Sequence, residues 1–383
     1  MARGRYKDTV NRFESLAAPG VRRLTPYVPG KPPETLEREL GVKDSIKLAS
    51  NENPLGPGQS ARAALAAAAP KVGLYPDGGG HELRSKLARR HGVSLEQVTL
   101  GNGSNDVLVL LAEAFLTAEV EAVYSQYAFA VYPIAVQAAG ATARVAPALP
   151  ANATQPLGHD LKALVAAIGP KTRLLFLANP NNPTGTWMDE AALDALLSEV
   201  PPEVIVVLDE AYHEYSAAHG VPDGTRWLAR HPNLVVTRTF SKAYGLAGLR
   251  VGYALSHPDL ADLLNRVRQP FNVSLPALAA AAAALDDREH LDATLALNRD
   301  GIERLRTGLA SLGIGVPASA GNFVIADLGR PAAPINEALL RQGVIVRPVG
   351  NYGLSNHLRI STGTAAQNER LLSAMAAALA SAP

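Results

Sequence analysis

The chain has 383 residues, with 36 Lys+Arg against 35 Asp+Glu, nine His and no Cys. A formal net charge of +1 offers no single-signed field to nucleic acid or to an anionic membrane, so any anion must be held by a local cluster. The absence of Cys excludes disulfides, thiolate zinc sites, iron–sulfur ligation and a Cys nucleophile, while 19% charged and 47% hydrophobic residues exclude a disordered chain.

At ~150 residues per domain the length suggests two or three domains. The start, Met-Ala-Arg-Gly-Arg-Tyr-Lys-Asp, carries charges where a signal peptide has its apolar stretch. The apolar run at 277–285 is far shorter than the ~20 residues of a membrane span. A cytoplasmic protein is therefore expected. Residues 1–20 read as an N-terminal arm. Residues 21–65, rich in Pro and Gly as far as Pro57, show little helical periodicity and are expected to pack with a small domain or over a cleft. From 66 to 270 the pattern is that of a large domain, with candidate strands at 97–100, 121–124, 143–146, 173–178, 204–208, 234–237 and 251–255. Near-continuous Val/Leu/Ile runs separated by amphipathic stretches predict an α/β fold with a mostly parallel central sheet covered by helices on both faces. Residues 271–383 predict a smaller α+β domain. Its longest helix is expected at 291–312, strands at 322–327, 344–347 and 357–361, and a last helix at 365–380.

Several places in this pattern can carry chemistry. The loop Gly101-Asn102-Gly103-Ser104-Asn105-Asp106 follows a strand and opens a helix, but Asp106 replaces the third glycine of a dinucleotide fingerprint. Backbone amides at Ser104 and Asn105 can hold an anion at the helix start. The same loop is equally an ordinary glycine turn with Ser104 as N-cap. Lys242 lies just past an apolar strand among small residues, where its amine can form a Schiff base, and Arg250 follows as a second fixed cation. Taken alone, both also read as surface cations. Asp209 ends the apolar run 204–208 at the carboxyl end of a buried strand, where open α/β sheets bind ligands. Such an acid requires a cationic partner or caps the next turn. Asn182 sits in the rigid Asn179-Pro-Asn-Asn-Pro-Thr-Gly185, which by spacing alone is a turn.

Taken in order, Asn-Pro-Asn-Asn-Pro-Thr-Gly, Asp209-Glu-Ala-Tyr212 and Ser241-Lys-Ala-Tyr-Gly-Leu-Ala-Gly-Leu-Arg250 resemble the pyridoxal-phosphate aminotransferases of fold type I. Within them, Lys47-Leu-Ala-Ser-Asn-Glu-Asn-Pro-Leu-Gly-Pro57, Tyr75-Pro-Asp77 and Leu358-Arg-Ile-Ser-Thr-Gly363 are similar to the histidinol-phosphate aminotransferase subfamily. The resemblance runs from about Tyr27 to the end of the chain. It implies that Lys242 holds pyridoxal 5'-phosphate and moves the proton, and that Asp209 keeps the pyridine nitrogen charged. Tyr212 and Asn182 then face the ring oxygen. Gly103, Ser104, Asn105, Ser241 and Arg250 form the phosphate cup, Tyr127 stacks on the ring, and Tyr75 reaches the phosphate from the other subunit of a homodimer with shared sites. Arg359 becomes the substrate anion clamp, aided by Arg347 and Tyr27, with Asn53 and Asn322 on the substrate side. For Tyr127, Arg347 and Arg359 taken as isolated residues, core packing or a surface salt bridge is the ordinary reading. The implied reaction passes an amino group from a small-molecule donor to a keto acceptor in ping-pong order. Histidinol phosphate with 2-oxoglutarate is the leading pair. Aromatic amino acids, a phosphothreonine-type decarboxylation and a non-catalytic protein that keeps the fold are the alternatives.

Overall fold

The structure, a computed structural model, describes residues 11–381; the first ten positions of the expected N-terminal arm lie outside the described residues. In chain order its strands are β1 (Ile46–Lys47), β2 (Val98–Gly101), β3 (Glu121–Ser125), β4 (Thr142–Ala146), β5 (Thr172–Ala178), β6 (Ile205–Asp209), β7 (Leu234–Thr239), β8 (Gly252–Leu255), β9 (Phe323–Asp327), β10 (Val344–Ile345), β11 (Arg347–Pro348) and β12 (His357–Ser361). The central sheet has seven strands in the order β2-β8-β7-β6-β5-β3-β4. Strands β4, β3, β5, β6 and β7 pair in parallel, whereas β8 runs antiparallel to both β7 and β2.

The residue types explain the covering. Every residue of Ile-Val-Val-Leu-Asp in β6 is buried, and alternate side chains feed two cores. Leu175, Leu177, Val206 and Leu208 pack on one face; Leu174, Phe176, Val207 and Val235 pack on the other. A strand with helices on both sides has no polar face to show. Strand β4 departs from this pattern: Thr142, Ala143, Arg144 and Val145 are exposed. It is the edge of the sheet, and Arg144 uses that edge to pair with Glu121 at 3.0 Å.

A second layer is built from the three-stranded antiparallel sheet β11-β12-β9 and the two-stranded parallel pair β1-β10. The helices Arg288–Ser311 and Ala365–Ser381 cover it, with Leu305, Leu309, Val324, Ile360, Leu371 and Met375 in its core. The strand expected at 344–347 is two strands. Its first half pairs with β1 and its second with β12, so the chain changes sheets at Val346. Pro348, which has no amide hydrogen, stands on the edge strand β11. The long helix begins earlier than its apolar periodicity indicates, because the Asp287 side chain accepts a hydrogen bond from the His290 amide and caps it. Among the described residues no helix is long and apolar enough to cross a membrane.

Behind the carboxyl ends of β6 and β7 lies a buried ion cluster. Arg238 donates through Nε and Nη2 to Oε2 of Glu210 at 2.9 and 2.6 Å, and through Nη2 to Asp223 at 2.6 Å. Arg238 and Glu210 are almost fully buried. Removing the guanidinium would leave a carboxylate without its cation inside the protein. Arg238→Met is therefore expected to cost about 3–5 kcal/mol, read as a lower urea midpoint at unchanged m-value. Arg230→Met, which breaks only an exposed pair with Asp194, should cost no more than ~1 kcal/mol.

Candidate active site

Strands β5, β6 and β7 end side by side, with Ala178 opposite Asp209 and Asp209 opposite Thr237. The loops that leave them enclose a cavity of about 280 Å³, at the small end of ligand pockets. It is lined by Asp209 and Tyr212 after β6, Asn182 after β5, and Ser241, Lys242 and Arg250 after β7. Ser104 and Asn105 at the start of the helix Ser104–Phe115 also contribute, with Ser50 and Glu52 from the N-terminal segment.

Asp209 is the buried floor of this cavity. Its Oδ2 accepts a hydrogen bond from the Tyr132 hydroxyl at 2.8 Å and its Oδ1 one from the Thr237 hydroxyl at 3.2 Å. Burial nevertheless holds its pKa above the ordinary carboxylate value. Lys242 is shifted the opposite way: burial, assisted by the nearby Arg359 charge, brings its ammonium down to about 7. Its Nζ donates to the Ser50 carbonyl at 3.1 Å and lies 5.8 Å from the centre of the Tyr212 ring. The Tyr212 hydroxyl accepts from Asn51 Nδ2 at 2.8 Å, and burial pushes its pKa up to about 12, so it stays a neutral hydroxyl. An acid pushed up and a base pushed down in one cavity mark a site adapted to proton chemistry.

The anion end is built from cations and amides. Arg250 donates to the Ser241 hydroxyl at 3.2 Å, and the Ser241 hydroxyl also accepts from Thr239 at 3.0 Å. Gly103, with φ +81°, has to lack a side chain: a Cβ there would stand 2.4 Å from Nη2 of Arg250. The glycine thus leaves room for the guanidinium beside the helix start, where backbone amides favour negative charge.

Arg359 is buried beside the cavity. It donates to Asn182 Oδ1 at 2.5 Å and to the Ala49 carbonyl at 2.6 Å, while its Nε has no hydrogen-bond partner. Strand pairing sets it opposite Arg347. Arg347 lies over the Tyr27 ring at 5.4 Å and donates to the Val28 carbonyl at 2.8 Å, so Tyr27, Arg347 and Arg359 are linked through neighbouring contacts.

Other expected residues fall elsewhere. Tyr127 does not line the cavity; it packs against Ile325, Val349 and Leu354, and its carbonyl accepts from Asn181. The aromatics on the cavity wall are Phe129 and Tyr212. Asn53 is consumed by structure: its amide donates to the Ala243 carbonyl at 3.0 Å and to Thr294 at 2.9 Å, and its Oδ1 accepts from the Leu55 amide. Ser50 and Glu52 are what that segment shows to the cavity. Asn322 is also buried outside the lining and donates to the Asn51 carbonyl at 3.0 Å. Tyr75 is 81% exposed, away from this chain's cavity, and stacks on Phe271. Tyr132 was absent from the sequence expectations. The one signal for it was chemical: a tyrosine in a buried apolar helix must find a partner for its hydroxyl.

The family profile described as aminotransferase class I and II matches residues 43–375. The chain is 56% identical over 372 residues to "Histidinol-phosphate aminotransferase 2" of Pseudomonas fluorescens Pf-5, covering 97% of this chain and 99% of that protein. It is 55% identical over 370 residues to the protein of the same name from Pseudomonas aeruginosa, covering 96% and 99%. Among solved structures it superposes with TM-score 0.88 and 32% identity on histidinol-phosphate aminotransferase from Sinorhizobium meliloti in complex with pyridoxal-5'-phosphate, covering 98% and 99%.

Two outcomes are expected from this geometry. Because the amine of Lys242 is a nucleophile only when deprotonated, its capture of an aldehyde by the apoprotein should rise with pH through about 7 and level off above it. A plateau reached only near the ordinary lysine value would mean that burial does not act as described. Tyr132→Phe removes a donor from a buried carboxylate without opening a cavity. It should lower kcat/KM about tenfold or more, the scale of a hydrogen bond to a charged group, with little change in Tm.

Proposed function

This chain belongs to the class I and II aminotransferase family, and we propose that it transfers an amino group between L-histidinol phosphate and 2-oxoglutarate, with pyridoxal 5'-phosphate as its resident cofactor. The observation that carries this reading is the pairing of Lys242 and Asp209 in one cavity with opposed proton affinities. The residues fit the cofactor: an anion cup that a Cβ on Gly103 would fill, a buried acid without a cation, an amine that burial makes easy to deprotonate and an aromatic wall. When bound, the cofactor supplies an aldehyde for the amino group and a pyridine ring that withdraws the electrons left when the substrate α-proton departs.

The side chains divide the work. Asp209 sets its negative charge against the ring nitrogen and keeps the proton there. Lys242 Nζ, about half deprotonated near pH 7, would hold the cofactor through its aldehyde carbon and, once the substrate amine has displaced it, would accept and return the substrate proton. The Tyr212 hydroxyl and Asn182 amide orient the ring oxygen. Gly103, Ser104, Asn105, Ser241 and Arg250 hold the phosphate, and the ring face falls to Tyr127, with Phe129 on the cavity wall. On the substrate side, Arg359 offers its free Nε to an anion, and Arg347 with Tyr27 recognises a phosphate ester. Asn51, Asn53 and Asn322 brace the segment that carries Ser50.

The same reading makes the protein a cytoplasmic homodimer in which Tyr75 of the partner subunit completes each phosphate cup. The exposure of Val72, Leu74 and Tyr75 at 63, 71 and 81% supports an interface there. Relatives named for histidinol phosphate match at 55–56% identity along nearly the whole chain, which favours that substrate over an aromatic amino acid or a decarboxylation.

The test is kcat/KM for histidinol phosphate against phenylalanine and tyrosine, each with 2-oxoglutarate. A preference of at least about a hundredfold is expected, the order supplied by two charge-assisted hydrogen bonds to phosphate. A ratio near one would remove the phosphate ester as the preferred substrate. Product formation independent of any keto acid would remove the transamination.

A further inference from the structure

Outside the cavity, one run of contacts joins two places that the proposed function uses separately. Oδ2 of Asp106, in the first turn of the helix Ser104–Phe115, accepts from the Asn102 amide at 2.8 Å and from Asn272 Nδ2 at 2.8 Å. Asn272 Nδ2 also donates to the Leu100 carbonyl at 3.2 Å, and its Oδ1 accepts from Arg268 at 2.8 Å. Arg268 in turn donates to the Gly78 carbonyl at 3.1 Å. The anion loop 101–105 and the turn that follows Tyr75 are thereby fixed to one segment, 268–272.

Within that segment Phe271 adopts φ +59°, a left-handed conformation that is costly for a bulky side chain. Burial does not account for it, since Phe271 is 44% exposed. The conformation serves a contact instead: the Phe271 ring stacks on Tyr75 with centroids 4.7 Å apart and planes at 26°. A Cβ on Gly78 would come within 3.2 Å of the same ring, so the turn beneath it lies close against the stack. A strained residue therefore spends its geometry on a tyrosine that this chain's own cavity does not use.

We propose that Phe271 is a positioning residue that aims Tyr75 at the phosphate bound by a second copy of this chain, and that Asn272 ties this aim to the anion loop of its own subunit. The inference rests on the shared-site reading above and adds to it a division of labour. Phe271 acts on the neighbouring site, whereas Asn272 acts on both. The stack restricts the tyrosine ring before the partner arrives, so less freedom is lost when its hydroxyl meets the anion.

Hybrid dimers assembled from two differently tagged chains separate these effects. The readouts are the cofactor dissociation constant and the fraction of Lys242 that borohydride traps. In a dimer of wild-type chain with a Phe271→Ala, Lys242→Ala chain, the one intact lysine is served by the altered Tyr75 support. Its dissociation constant should rise about tenfold, the order of one hydrogen bond to an anion. In a dimer of a Phe271→Ala chain with a Lys242→Ala chain, the intact lysine is served by an unaltered Phe271 and should bind as wild type. The reverse pattern, or equal loss in both, would overturn the proposal by showing that Phe271 supports its own subunit. Phe271→Leu, which keeps bulk without the stack, should give the same pattern should the alanine variant fail to fold, and Phe271→Tyr should restore wild-type binding. Asn272→Ala should weaken both hybrids. Tyr75→Ala in the same two arrangements is the control. Loss confined to its own subunit, or no loss, refutes the shared site itself, whereas loss in the neighbour without any Phe271 effect refutes only the present inference.

Discussion

The organising constraint is the carboxylate of Asp209, which has to remain buried at the carboxyl end of β6 without a cation from the protein. Burying an acid is costly unless its oxygens are satisfied. Here Tyr132 and Thr237 each supply one donor, and the proton affinity of the group is still raised. Two neutral donors therefore offset only part of the desolvation. What remains is an attraction for a positive charge of the right shape, which is the property the proposed cofactor ring requires. The same desolvation acts with opposite sign on Lys242. One closed environment thus prepares both an acid in search of a cation and a base free to bond.

Alternation along β6 and β7 keeps this arrangement separate from a second set of charges. Asp209 stands opposite Thr237, and the next residues, Glu210 and Arg238, project to the other face. There the pair closes on itself with Asp223. A short motif, Asp-Glu, consequently sends one carboxylate to an arginine and withholds the other from any.

The parts of this organisation that were legible in the sequence are those fixed by local chemistry. Buried parallel strands read as runs of Val, Leu and Ile, and the residues at their ends fall within a position or two of the expected ones. Lys242, Asp209, Asn182, Ser104 and Arg250 were singled out by motifs that resemble the aminotransferases, since each taken alone had an ordinary structural reading, and all five line one cavity. What escaped depends on which of two nearby side chains a loop turns inward. The segment between β3 and the helix Val131–Ala138 contains Tyr127, Phe129 and Tyr132, and nothing in their order says that Phe129 meets the cavity, that Tyr132 meets Asp209, or that Tyr127 packs against the second layer. Asn53 is a related case. In Ser50-Asn-Glu-Asn53 four polar residues compete for one cavity, and only the tertiary hydrogen bonds of Asn51 and Asn53 show that both are spent on bracing. The divided strand at 344–348 depends on partners more than 200 residues away in β1, which no local pattern records.

On the proposed function, recognition of cofactor and of substrate falls to different layers, and Arg359 is where the layers meet. The large sheet supplies Asp209, Lys242 and the anion cup, while Arg359 and Arg347 stand side by side on β12 and β11 of the smaller one. Arg359 bridges the gap by donating to Asn182 at the end of β5 and to Ala49 beside β1. A planar guanidinium engaged on these two sides keeps a fixed orientation, and its remaining Nε–H is a donor already stripped of water. An anion that accepts from it gains a hydrogen bond without first displacing solvent from the arginine, whereas a neutral group in the same place would leave that donor unmet. On the proposed function, discrimination for a charged substrate would lie at the joint between the layers, so that whatever fixes their relation would also fix the selectivity.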